Sequence, residues 1–154
     1  MHLILTAVAA LTLQTAPDPA EAEVAAVLDQ LNAASTAADS AAYFALFTPD
    51  ARFIGTDASE RWSLAEFRAY AEPYFARGRG WTYTPVERTV TLAPVQCLCV
   101  AWFDEVLDSE SYGVTRGSGV LRKTRDGWKI EQYVLSFAVP NDRASAVVQA
   151  IKSD

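Results

Sequence analysis

The stretch from Trp102 to Phe137, WFDEVLDSESYGVTRGSGVLRKTRDGWKIEQYVLSF, constrains the fold more than any other part of the chain. Asp126-Gly127 divides GVLRKT from WKIEQYVLSF, and both flanks read as strands. An Asp-Gly pair suits a type I′ turn, whose two central residues both need positive φ, so the stretch predicts a β-hairpin. The preceding VQCLCVAWFDEVL is rich in Val, Cys, Trp and Phe and predicts a strand that pairs with the first arm to make a three-stranded meander. Such a sheet has an apolar face that earlier segments must cover.

Those segments are helical. Asp18 can cap a helix with Pro19 as its first residue and Glu21 as its third, and Val24, Val27, Leu28 and Leu31 recur on one face towards Ala38. Asp39-Ser40 permits a restart, with Tyr43, Phe44 and Phe47 on a short second helix ended by Pro49-Asp50. Arg52 to Ile54 predicts a short strand, and Gly55 to Ser59 a loop. Ser63-Leu64-Ala65-Glu66 is a capping box that opens a third helix, whose apolar side carries Leu64, Phe67, Tyr70, Ala71, Tyr74 and Phe75. Trp81 to Leu92 alternates weakly, and Pro85 marks it as irregular or as an edge strand. Helices followed by antiparallel strands predict an α+β domain: a cone-shaped curved antiparallel sheet packed against three N-terminal helices and enclosing a pocket.

With 154 residues, 51% of them hydrophobic, the chain fits one domain with a real core. The net charge of -6 and scattered basic residues disfavour phosphate backbones, so no nucleic acid is expected as a partner. The apolar run from Leu3 to Leu13 is too short to span a bilayer but has the length of a signal-peptide core, although no Lys or Arg precedes it. The expected organisation is a signal peptide over 1–16, a domain over 17–142 and a tail over 143–154 with a helical stripe. The mature protein is expected in the periplasm or outside the cell, with no stable membrane span after processing. His2, the single histidine, lies in the segment expected to be removed, which excludes Ser-His-Asp and Cys-His chemistry. Cys97 and Cys99 sit one residue apart on a predicted strand, which resists a bond between them, so buried thiols are expected. No metal or cofactor is expected.

FIGTDASERWSLAEFRAYAEPYF, GWTYTP, AWFDE, YGVTRGSGVLRK, DGWKI and SFAVPND, in this order and spacing, resemble the SnoaL-like branch of the nuclear transport factor two-like superfamily over roughly Glu21 to Asp142. The resemblance implies a cone-shaped α+β barrel with a pocket between helices and sheet, and a homodimer formed through the sheet. It also implies kinship with ketosteroid isomerases, polyketide cyclases and dehydratases. In the isomerases the base follows the first strand, where this chain has Gly55; that departure counts against isomerase chemistry.

Asp104 ends the apolar run Val100-Ala101-Trp102-Phe103, and alternation pairs it with Trp102. If that face lines the pocket, Asp104 is a desolvated general acid or base; otherwise it marks the strand's emergence into water or pairs with Arg116. Asp57 is a second candidate proton carrier, or a turn former. Tyr133, Tyr70 and Tyr74 offer hydroxyls to an apolar cavity, with Tyr133 as donor to an oxyanion, or are core residues. Trp62 packs at the mouth of the cone or stacks on a ligand. Two readings of function follow. One is a domain that binds a small hydrophobic molecule, extending to cofactor-independent isomerase, cyclase or dehydratase chemistry on a hydrophobic carbonyl compound. The other is a non-catalytic homodimeric assembly module.

Overall fold

The computed structural model describes residues 18–153, so the expected signal peptide lies outside the described residues. Helix α1 (Pro19–Thr36) starts where Asp18 accepts the Ala20 amide at 2.8 Å and buries Val24, Leu28 and Leu31. Helix α2 (Ser40–Ala45) is capped by Asp39, which accepts the Ala42 amide at 2.9 Å. Helix α3 (Leu64–Phe75) opens on the capping box, with the Ser63 amide donating to Glu66 Oε2 at 2.8 Å. Each cap satisfies amides that have no partner within the helix.

The strands are β1 (Phe47–Ile54), β2 (Arg61–Ser63), β3 (Thr84–Leu92), β4 (Val100–Ser109), β5 (Gly113–Thr124) and β6 (Gly127–Phe137). They form one six-stranded open sheet in the order β2-β1-β6-β5-β4-β3. The expected α+β cone is therefore the fold, with one refinement: β1 pairs in parallel with β6, and every other pairing is antiparallel. The helices cover the concave face, where Phe53, Phe103, Leu107, Leu121, Ile130 and Tyr133 meet α1 and α3 in a single core. A last helix, α4 (Ala144–Ile151), buries none of its residues.

Several local expectations need correction. β1 begins at Phe47, so Pro49-Asp50 lies inside the strand instead of ending α2. Proline has no N–H for the ladder, and the β1/β6 register shifts between Phe47 and Arg52, where Pro49 falls. The hairpin forms, but its two-residue connection is Arg125-Asp126; Gly127 alone has positive φ, at 97°. Arg125 and Asp126 both lack the positive φ that a type I′ turn requires at its two central residues, so the turn is not of that type.

The cysteines also differ from expectation. β4 begins only at Val100, and Cys97 and Cys99 are joined by a disulfide across a turn in which Leu98 adopts φ 46°. In a strand, two residues of rise would hold their Cα atoms about 6.7 Å apart. The turn brings them to 5.1 Å, within the range a disulfide spans.

Candidate functional site

A cavity of about 100 Å³ opens between the helices and the sheet. Its inner wall is buried: Leu31, Asn32 and Ser35 from α1, Tyr43 from α2, Phe53 from β1, Phe67 from α3, and Tyr133 and Leu135 from β6. Its mouth is more open, with Gly55, Thr56, Glu60, Tyr70 and Tyr112, while the half-buried Trp62, Trp81 and Tyr83 lie between. Stacked rings build the walls. Phe53 lies 3.8 Å from Phe67 and 5.6 Å from Tyr133 between centroids, and Tyr70 stacks on Trp62 at 4.8 Å. Ser35 Oγ donates to the Trp81 carbonyl at 2.7 Å and ties that loop to α1.

Two polar features stand out. Asn32 is 9% exposed, faces the cavity, and its Nδ2 has no hydrogen-bond partner. An amide donor left without a protein partner in a buried site costs about 1–3 kcal/mol, so Nδ2 is free to donate to a molecule or water in the cavity. The second feature is a charged relay behind the wall. Tyr133 Oη donates to Glu105 Oε1 at 3.0 Å, and Arg88 Nε donates to Glu105 Oε2 at 2.8 Å. Arg88 Nη1 then reaches Asp29 Oδ1 at 2.7 Å and the Ala25 carbonyl at 3.1 Å. The Glu105 side chain is completely buried, and the guanidinium compensates its charge.

Burial, and then the charge of Glu105, push the Tyr133 phenol well above its ordinary value. Burial likewise raises Tyr43 and Tyr83. Partial burial, with Tyr74 and Glu60 nearby, raises Tyr70. For Arg88, burial lowers the value, but the hydrogen bonds and charges of Asp29 and Glu105 outweigh it and hold the group above an ordinary guanidinium. These tyrosines are neutral donors and acceptors near neutral pH.

The structure distributes the predicted residues unevenly. Tyr133, Trp62 and Tyr70 line the cavity, whereas Tyr74 packs beside Tyr70 and Trp81 without lining it. Tyr133 turns its single proton to Glu105, not to the cavity. Asp57 is an exposed turn former, accepting the Ser59 amide at 2.8 Å and the Ser59 hydroxyl at 2.5 Å, bonds that lower its carboxyl from the usual range. Asp104 and Trp102 are exposed on the outer face of the sheet, and so is Arg116. The alternation is out of step with the pocket reading: Ala101, Phe103, Glu105 and Leu107 point inward. Asp104 lies opposite Ser118, and Arg116 opposite Val106, so the two are diagonal neighbours, and among the described residues no ion pair joins them. The inward carboxylate is Glu105, which sequence reading missed together with Arg88, Asn32 and Glu60. Asn32 was marked by its place within the apolar stripe of α1, one turn after Leu28.

Among the described residues no group of histidine, cysteine or carboxylate side chains is placed to hold a metal ion. No described helix is long and apolar enough to cross a membrane.

An open curved sheet with helices across its concave face and an aromatic cavity between them defines a cone-shaped α+β pocket domain. Residues 24–140 match the SnoaL-like domain family, and the chain belongs to that family. Solved structures share the fold at low identity. A domain of unknown function with a cystatin-like fold from Nostoc punctiforme matches at TM-score 0.66 and 16% identity, covering 90% of this chain and 90% of its own. A proposed dehydratase of the nuclear transport factor two-like family from Streptomyces avermitilis matches at TM-score 0.65 and 14% identity, covering 78% of this chain and 96% of its own. A proposed ketosteroid isomerase from Shewanella frigidimarina matches at TM-score 0.59 and 21% identity, covering 77% and 98%. No curated protein matches the sequence.

Proposed function

We propose that this protein binds a small, mostly apolar molecule carrying a hydrogen-bond acceptor such as a carbonyl oxygen. The unpaired Nδ2 of Asn32, buried and facing an aromatic cavity, carries the reading. Apolar walls supply affinity by burial, and the unpaired Asn32 donor supplies orientation. A cavity of about 100 Å³ exceeds the room needed by a couple of waters, which counts against a pocket filled by its own side chains. Acid-base chemistry through Asp104 is not part of the proposal, because that carboxylate is on the outer face. The Cys97–Cys99 disulfide, together with the apolar run from Leu3 to Leu13, supports an exported protein in an oxidising compartment.

Acetophenone and ethylbenzene differ by one acceptor oxygen and test the idea directly. In NMR titrations acetophenone is expected to bind more tightly and to shift the Asn32 side-chain amide, and Asn32→Leu is expected to erase the preference. Equal affinities in the native protein would remove the assignment.

A homodimer through the sheet is a second, compatible element. Trp102, 44% exposed, shares the outer face with the half-buried Val106, Val120 and Val134. Sedimentation of native protein and Trp102→Glu tests it; a native monomer would end it.

A further inference from the structure

We infer that the pocket selects ligands carrying a positive charge, with Glu60 as the residue that recognises it; this rests on the binding function proposed above. Among the described residues lining the cavity, Glu60 bears the only formal charge. Every other lining side chain is apolar, aromatic or neutral, and the cavity tyrosines Tyr43, Tyr70, Tyr83 and Tyr133 are all shifted towards the neutral phenol. Among the described residues no lysine or arginine forms an ion pair with Glu60. Its carboxylate is instead met by a neutral donor, the Asp57 amide, at 3.2 Å.

Gly55 explains how the carboxylate reaches this position. A Cβ at residue 55 would collide with Glu60 Oε2, so the missing side chain is the space the carboxylate occupies. The Gly55 amide donates to the Glu60 carbonyl at 2.8 Å, and the Glu60 amide to the Asp57 carbonyl at 3.0 Å, which close the loop around it. The carboxylate is thus presented at the mouth with Tyr70, while Trp62 and Trp81 stand just inside. A carboxylate without a counter-ion next to aromatic rings is the chemistry that holds an organic ammonium ion, by charge and by attraction to the ring faces. The inner Asn32 donor and the outer Glu60 charge together describe a ligand with an acceptor at one end and an amine or quaternary ammonium at the other.

The test compares phenyltrimethylammonium with tert-butylbenzene, equal in shape and different in charge, with acetophenone as a control for the pocket. In the native protein the cation is expected to bind about tenfold more tightly than its neutral counterpart. Glu60→Gln keeps an acceptor for the Asp57 amide and is expected to lose that preference while still binding acetophenone. Gly55→Ala leaves the charge in the chain but displaces the carboxylate, and should lose the preference as well. A preference that survives in both variants would assign it to overall charge and overturn the inference. Equal binding of cation and neutral compound, with acetophenone bound, would overturn it and leave the pocket standing. Failure of acetophenone to bind as well would overturn both readings.

Discussion

Tyr133 gives its phenolic proton to Glu105 across an intervening strand, at 3.0 Å. The two sit on β6 and β4, and Gly117 of β5 lies between them, opposite both Glu105 and Leu135. A Cβ at residue 117 would press on Tyr133 Oη and lie 2.8 Å from Glu105 Oε1. Gly117 is thus a window through the sheet for one hydrogen bond. Gly117→Ala is therefore expected to cost about 1–3 kcal/mol, the usual penalty for overfilling a packed site. Urea unfolding measures it; a midpoint equal to that of the native protein would show that the bond can be broken freely.

Glu105 is the negative centre of a chain that begins at the exposed Asp29 and passes through Arg88. Removing one partner leaves the other charge uncompensated. Glu105→Ala should destabilise the fold by on the order of 3–5 kcal/mol. The double replacement Arg88→Met with Glu105→Leu should recover much of that loss, since a buried ion pair is often replaceable by apolar packing. If the double variant is no better than Glu105→Ala, the orphaned guanidinium is not the cause.

These residues also show where sequence reading reaches its limit. The capping box of α3, the apolar face of α1 and the β5–β6 hairpin were legible because each is set by neighbours within a few positions. The strand β4 was recognised, but its phase was left open between a pocket-lining and a water-facing Asp104. Phe103 and Leu107 are the buried residues, and a one-residue slip exchanges Asp104 for Glu105. Nothing local decides between those phases. The choice depends on Arg88, which lies opposite Glu105 on β3, and on Tyr133, two strands away. Glu60 was hidden for a similar reason, because its place in the pocket follows from the space left by Gly55.

The disulfide should contribute little to stability. It joins residues only two apart, and the loop-entropy relation gives on the order of 1.5 kcal/mol for so short a closure. Leu98 offsets much of this by holding a left-handed conformation that costs a non-glycine residue about 1–2 kcal/mol. Cys97→Ser with Cys99→Ser is expected to shift the unfolding free energy by less than about 1 kcal/mol, measured beside the oxidised protein. A loss of several kcal/mol would show that the loop organises β3 and β4 more widely.

Alkaline pH offers a test of how well the cavity wall excludes water. Burial raises the phenols of Tyr43, Tyr83 and Tyr133 in the folded protein, whereas in the unfolded chain a tyrosine ionises near pH ~10. The folded state therefore holds these protons more tightly than the unfolded state does. Their contribution to stability is fully present below about pH 10 and is lost progressively as pH rises above it, because ionisation then favours the unfolded chain. Each sealed phenol adds a slope of up to about 1.4 kcal/mol per pH unit. Tyr43 is the best residue to remove, since it is 6% exposed and its hydroxyl is not part of the Glu105 relay. Tyr43→Phe should match the native protein near pH 8 and lose stability less steeply between about pH 10 and 11, as followed by urea unfolding at each pH. Parallel curves for the two proteins would mean that Tyr43 ionises as easily folded as unfolded, and that water reaches the inner wall of the pocket.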